Sequence, residues 1–193
     1  MVTSVPSQHI FHRNKIACSK VGKDTMADVL DRQTLAAPRW AIAKAKAEEL
    51  SAPYSAPPIP VLEIAESHGV DVVFADFGDV GERVAGFCDF QGARLYVNQA
   101  DRLPRQTFTI AHELGHWLLH RPFFEQQPEL YQILPRFQKV ERNNAFEQEA
   151  NCFAANLLVP SRLLKPVRNA AVAQLASIFS VSREMMENRL KSV

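Results

Sequence analysis

Phe108-Thr109-Ile110-Ala111-His112-Glu113-Leu114-Gly115-His116-Trp117-Leu118-Leu119-His120 is the stretch on which the reading of this chain turns. Phe108, Ala111, Gly115, Leu118 and Leu119 recur at helical spacing and make one apolar stripe, with His112 and His116 at its margin. Residues four apart lie one above the other on a helix, so imidazoles at 112 and 116 converge on a single ion. Zinc accepts neutral imidazole nitrogen in a tetrahedral shell and, where it is catalytic, keeps one position open. Glu113 stands about 100° further round, too far to complete that shell easily but within reach of a water in the open position.

Two imidazoles need a third protein ligand. His120 is one alternative, but a third histidine on such a motif follows a glycine turn six residues after the second, and Leu119-His120 fits neither feature. It is read instead as supporting a ligand from behind or finishing the helix. The next helix offers Asn144-Ala145-Phe146-Glu147-Gln148-Glu149-Ala150-Asn151, with Phe146, Ala150, Phe153, Ala154, Leu157 and Leu158 as its core stripe. Glu147 lies about 60° from the middle of that stripe and Glu149 about 95° away on the other side. Glu147 is the favoured third ligand, with Glu149 as the alternative. A capping box with Asn144 is a purely structural use of Glu147. Asn151, one turn beyond Glu147, is placed to orient a ligand.

Outward from these helices, Pro38-Arg39-Trp40 opens a helix with Trp40, Ala43, Ala47 and Leu50 at helical spacing. Residues 53–60, with four prolines, form an extended strap. A short helix carrying Leu62, Ile64 and Ala65 closes near His68-Gly69. Val70-Asp71-Val72-Val73-Phe74 reads as a strand, and residues 84–90 and 94–98 as a hairpin turning at Gln91-Gly92-Ala93. Beyond Asp101 every signal is helical: 103–120, stopped by Arg121-Pro122; 144–159; and a final pair, 170–179 and 183–191. The class expected is α+β, with a small antiparallel sheet or hairpin packed on a bundle that includes the His112 helix. Residues 1–37 show no period and read as a poorly ordered extension to a domain of residues 38–193.

Twenty-two Lys plus Arg against 21 Asp plus Glu deny the chain a global basic field for nucleic acid. No run approaches the ~18 apolar residues of a bilayer span. Cys18, Cys88 and Cys152 are odd in number and widely spaced, which fits reduced thiols better than a disulfide framework. A cytoplasmic protein with no membrane partner is expected.

The run 108–120, with Glu147-Gln148-Glu149-Ala150-Asn151-Cys152-Phe153-Ala154-Ala155-Asn156-Leu157-Leu158-Val159-Pro160, resembles the ImmA/IrrE family of bacterial metallopeptidases. Pro57-Pro58-Ile59-Pro60-Val61 and the hairpin end Tyr96-Val97-Asn98 are similar to it too, so the likeness covers about residues 38–193. The resemblance implies a small zincin-like domain, a zinc ion, and cleavage of a DNA-binding repressor that switches on a mobile element or a stress response. It makes His112, His116 and Glu147 the ligands and Glu113 the catalytic residue. Val159 stands where the family often has Met, and residues 1–37 match nothing in it.

The reaction expected is hydrolysis of a peptide bond, with Glu113 moving the proton and zinc replaceable by Mn or Co. Tyr131, between the two ligand helices, is the candidate oxyanion donor. A free edge of the hairpin is expected to pair with extended substrate. A rival class comes from residues 170–193, which have the cadence of a helix-turn-helix. Ser182 caps its second helix, and Arg183, Arg189 and Lys191 stand ready for phosphates. On that reading the chain is a non-catalytic, zinc-stabilised regulatory or DNA-binding protein. Glu184 and Glu187 repel a phosphate backbone, which favours a helix pair packed on the core through Ile178, Phe179, Val181, Met185 and Leu190.

Overall fold

Small side chains decide how the first helix docks. Ala43 and Ala47 are wholly buried on α1 (Trp40–Ser51), with Leu50 close behind, and they let α1 lie directly on α4 (Ala145–Leu158). Trp40 is 45% exposed, so the alanines rather than the indole make this contact. The computed structural model describes residues 37–125, 133–137 and 144–193, and the reading of the N-terminal extension lies outside them but for Ala37. In α2 (Val61–Ser67) the buried face is Val61, Ile64 and Ala65, leaving Leu62 outside.

Strands β1 (Asp71–Ala75), β2 (Val84–Asp89), β3 (Arg94–Asn98) and β4 (Ile133–Phe137) form one mixed sheet in the order β1-β3-β2-β4. The hairpin forms as expected, pairing Cys88 with Leu95. β1 then adds to β3 in parallel and β4 adds to β2 antiparallel. Both hairpin strands are therefore interior, and the edge expected to be free for substrate is already filled. A Cβ on Gly86 would fall 2.4 Å from Thr109 Cγ2 and 2.5 Å from Tyr96 O, so only glycine lets the next helix ride so closely on β2.

That helix, α3 (Leu103–Glu125), runs through Pro122 instead of stopping before it. An interior proline costs about 3 kcal/mol. Here it sits in the last turn, and continuing the helix buries Phe124 among Phe90 and Phe146, at ring separations of 4.8 and 5.5 Å. Burial of a Phe contributes about 1.5–3 kcal/mol and each aromatic pair a further ~1, enough to offset the break. β4 is a second departure from the all-helical expectation. Its Pro135 is tolerated because β4 is an edge strand, where a missing donor interrupts no further ladder.

Asn144 caps α4, its Oδ1 accepting from the backbone N–H of Phe146 at 2.9 Å and of Glu147 at 3.4 Å. α5 (Ser161–Leu164) leads to the closing pair α6 (Val172–Ile178) and α7 (Arg183–Leu190), the latter capped by Ser182. Leu175, Phe179, Val181 and Met186 are buried, whereas Ile178 is 45% exposed and Met185 only half-buried. Arg189 points inward: Nε donates to Val159 O at 3.0 Å, and Nη2 donates to Asn156 Oδ1 and Ser161 Oγ at 2.8 Å each. Its guanidinium is thus engaged in pinning α7 to the end of α4 and is not free for a phosphate. Among the described residues no helix is long and apolar enough to cross a membrane.

Candidate metal centre

α3 and α4 touch backbone to side chain at Gly115, where a Cβ would lie 3.2 Å from Ala150 Cα and 3.0 Å from the Phe153 ring. This close approach brings Glu147 to the histidines. His112 and His116, on successive turns of α3 and almost fully buried, hold their Nε2 atoms 3.1 Å apart. Glu147 Oε2 lies 3.2 Å from His112 Nε2, and Oε1 lies 3.1 Å from His116 Nε2. The carboxylate faces the imidazoles while its own backbone N–H is capped by Asn144, so the purely structural capping box is not how this side chain is used.

The outer ring nitrogens determine where the protons lie. His112 Nδ1 is 3.0 Å from Asn151 Oδ1, an oxygen that only accepts, so Nδ1 carries a hydrogen and, in the neutral ring, Nε2 carries the lone pair. His116 Nδ1 is 3.0 Å from His120 Nδ1, and His120 Nε2 is 3.1 Å from Glu149 Oε2. Burial works to raise the Glu149 carboxyl, but hydrogen bonds from Arg39 hold it below its ordinary value, so it accepts from His120. Burial, with His116 next to it, pushes His120 down to about 3 and keeps it neutral. Its Nδ1 therefore accepts from His116 Nδ1–H, so a neutral His116 has its Nε2 lone pair facing inward.

Two nitrogen lone pairs and a carboxylate thus meet at one point, with every potential ligand atom within 4.8 Å of the others. Burial works to raise the Glu147 carboxyl, but the two imidazoles beside it hold it well below its ordinary range; a divalent cation satisfies all three groups at once. Two neutral imidazoles with a carboxylate are a donor set that suits zinc.

His112, His116 and Glu147 are brought together, and Asn151 and His120 each touch an imidazole from behind. Glu113 is buried on the same helix. Glu149, the alternative third ligand, turns the other way and reaches His120. Tyr131 lies outside the described residues. Sequence reasoning did not find Arg39, which meets Glu149 across 110 positions; its only signal was a glutamate on a buried flank of α4 with no cation nearby. Beside Asn151 a cleft of about 660 Å³ opens, lined by Phe108, Cys152, Met185 and Asn188 among others.

A family model described as the IrrE N-terminal-like domain matches residues 65–191. The chain is 30% identical over 149 residues to the radiation response metalloprotease IrrE of Deinococcus deserti, covering 74% of this chain and 51% of that protein. It is 28% identical over 137 residues to the phage-like element PBSX protein XkdA of Bacillus subtilis, covering 68% of this chain and 61% of that protein. The chain thus spans about half to three-fifths of these relatives. A solved structure of a Mycobacterium tuberculosis transcriptional regulator shares the fold at a TM-score of 0.55 and 19% identity, over 77% of this chain and 46% of that one.

Proposed function

The chain belongs to the IrrE N-terminal-like domain family, and from that premise we propose that it is a zinc-dependent endopeptidase cutting a DNA-binding transcriptional repressor. The observation that carries this reading is the convergence of His112 Nε2, His116 Nε2 and the Glu147 carboxylate on one point. These three residues would hold the metal. A zinc ion held there supplies a Lewis acid, able to make water nucleophilic near neutral pH and to polarise a carbonyl. Asn151 and His120 keep the two imidazoles turned inward. Glu113 takes a proton from water as the water oxygen attacks the scissile carbonyl carbon. It then returns that proton to the amide nitrogen as the C–N bond breaks and the amine departs.

A protease serving a stress response or a mobile element accords with the names of two relatives, a radiation response metalloprotease and a phage-like element protein. Cutting the repressor relieves repression of a mobile element or a stress response, in the cytoplasm where such a repressor works. The test is incubation with the DNA-binding regulator encoded beside it, with and without chelator. Metal-dependent fragments that disappear with Glu113→Gln, at unchanged zinc content, support the proposal. An intact regulator at saturating zinc, or cleavage undiminished by Glu113→Gln, contradicts it.

A further inference from the structure

We propose that Arg39, Glu149 and His120 are positioning residues that lock His116 into the tautomer a metal requires, so that the segment entering α1 sets the metal affinity of a site on α3. The inference rests on the metal reading above and extends it beyond the three ligands. Glu149 is wholly buried, and Arg39 meets both of its oxygens. Oε1 accepts from the Arg39 backbone N–H at 2.6 Å and from Nε at 2.9 Å; Oε2 accepts from Nη2 at 2.7 Å. A merely structural ion pair would be complete with those bonds. Oε2 is also shared with His120 Nε2 at 3.1 Å, and this extra contact gives the pair a direction. With Nε2–H spent on Glu149, the neutral His120 ring has only its Nδ1 lone pair to present to His116 Nδ1, 3.0 Å away.

The His120 ring has little freedom to turn over. Phe146 stands edge-on to it at 4.9 Å and Phe124 at 6.4 Å. The two ligand histidines are therefore held by different means: His112 by one amide on α4, His116 by a chain of three residues that ends outside both ligand helices. Groups that orient a metal-binding histidine from behind typically change metal affinity by about 10–100-fold when removed.

The experiment measures Zn2+ affinity of the full chain against a chromophoric chelator, with the visible spectrum of the Co2+ form as a second readout. His120→Ala is expected to weaken Zn2+ binding by about 10–100-fold. His120→Asn, whose amide oxygen takes the place of Nδ1 as acceptor, is expected to restore most of that loss. Glu149→Gln, whose amide can donate to His120 Nε2 and reverse the relay, should fall with His120→Ala and shift the Co2+ bands. Melting of the metal-free proteins separates folding from binding, and if Glu149→Gln does not fold, the Ala-against-Asn comparison at 120 decides alone. Wild-type affinity in His120→Ala, or equal losses in His120→Ala and His120→Asn, overturns the relay. Failure of the metal reading itself looks different: the wild type then binds no Zn2+, or His116→Ala costs it nothing.

Discussion

Asn151 Oδ1 accepts from His112 Nδ1 at 3.0 Å, from the same helix that carries Glu147 one turn earlier. One helix therefore supplies both the carboxylate of the triad and the group that turns the opposing imidazole toward it. Residues i and i+4 share a face, so docking α4 once on α3 places both.

Asn151→Ala removes the acceptor without touching a ligand, and the expected loss in Zn2+ affinity is about 10–100-fold. Asn151→Asp keeps an acceptor on Nδ1–H and should hold affinity near the wild-type level. Competitive chelator titration of both variants checks the pair, and equal losses would show that the amide's shape rather than its oxygen matters.

Gly115 sets the separation of α3 and α4. Gly115→Ala gains about 1 kcal/mol of helix propensity. It also forces a methyl against Ala150 Cα and the buried Phe153 ring, at a cost of about 1–3 kcal/mol for overpacking. The backbone contact cannot yield by a rotamer change, so the net expectation is lower stability in urea unfolding and weaker Zn2+ binding. Gly115→Val should do both more strongly.

A metal that binds the assembled His112, His116 and Glu147 and not the unfolded chain should stabilise the native protein. At free Zn2+ a hundredfold above Kd the gain is about 2.7 kcal/mol, or roughly 5–10 °C in Tm for a domain of this size. Calorimetry with Zn2+ and with chelator measures the shift. His116→Ala should melt at one temperature under both conditions.

Cys88 is fully buried on β2, and burial, reinforced by the Glu113 and Asp89 charges, raises its thiol well above the ordinary range. Because the thiolate is the reactive form, Cys88 should resist alkylation in the folded chain from neutral pH to pH 9 and react only on unfolding. Peptide mapping after iodoacetamide treatment checks this. Prompt labelling of Cys88 at pH 8 in the native protein would contradict its burial.

Much of the site was legible because it is built from short spacings. The i, i+4 histidines, the flank occupied by Glu147 and the capping asparagine are all local patterns, and each appears where the periodicity puts it. What escaped depends on distant packing. Pro122 reads as a stop, and only the aromatic cluster of Phe90, Phe124 and Phe146 explains why α3 continues. Residues 133–137 carry a proline that weakens any strand signal, and their place at the sheet edge is known only once β2 is in position. The pairing of Arg39 with Glu149 spans 110 residues and leaves no local trace beyond a glutamate on a buried flank.

The central claim is that His112, His116 and Glu147 bind one divalent ion together. A crystal of the zinc-loaded chain, with anomalous data collected at the zinc edge, tests it most directly. The expected result is a single peak about 2.0–2.2 Å from His112 Nε2, His116 Nε2 and a Glu147 oxygen. A peak elsewhere, or none at full zinc loading, would contradict it.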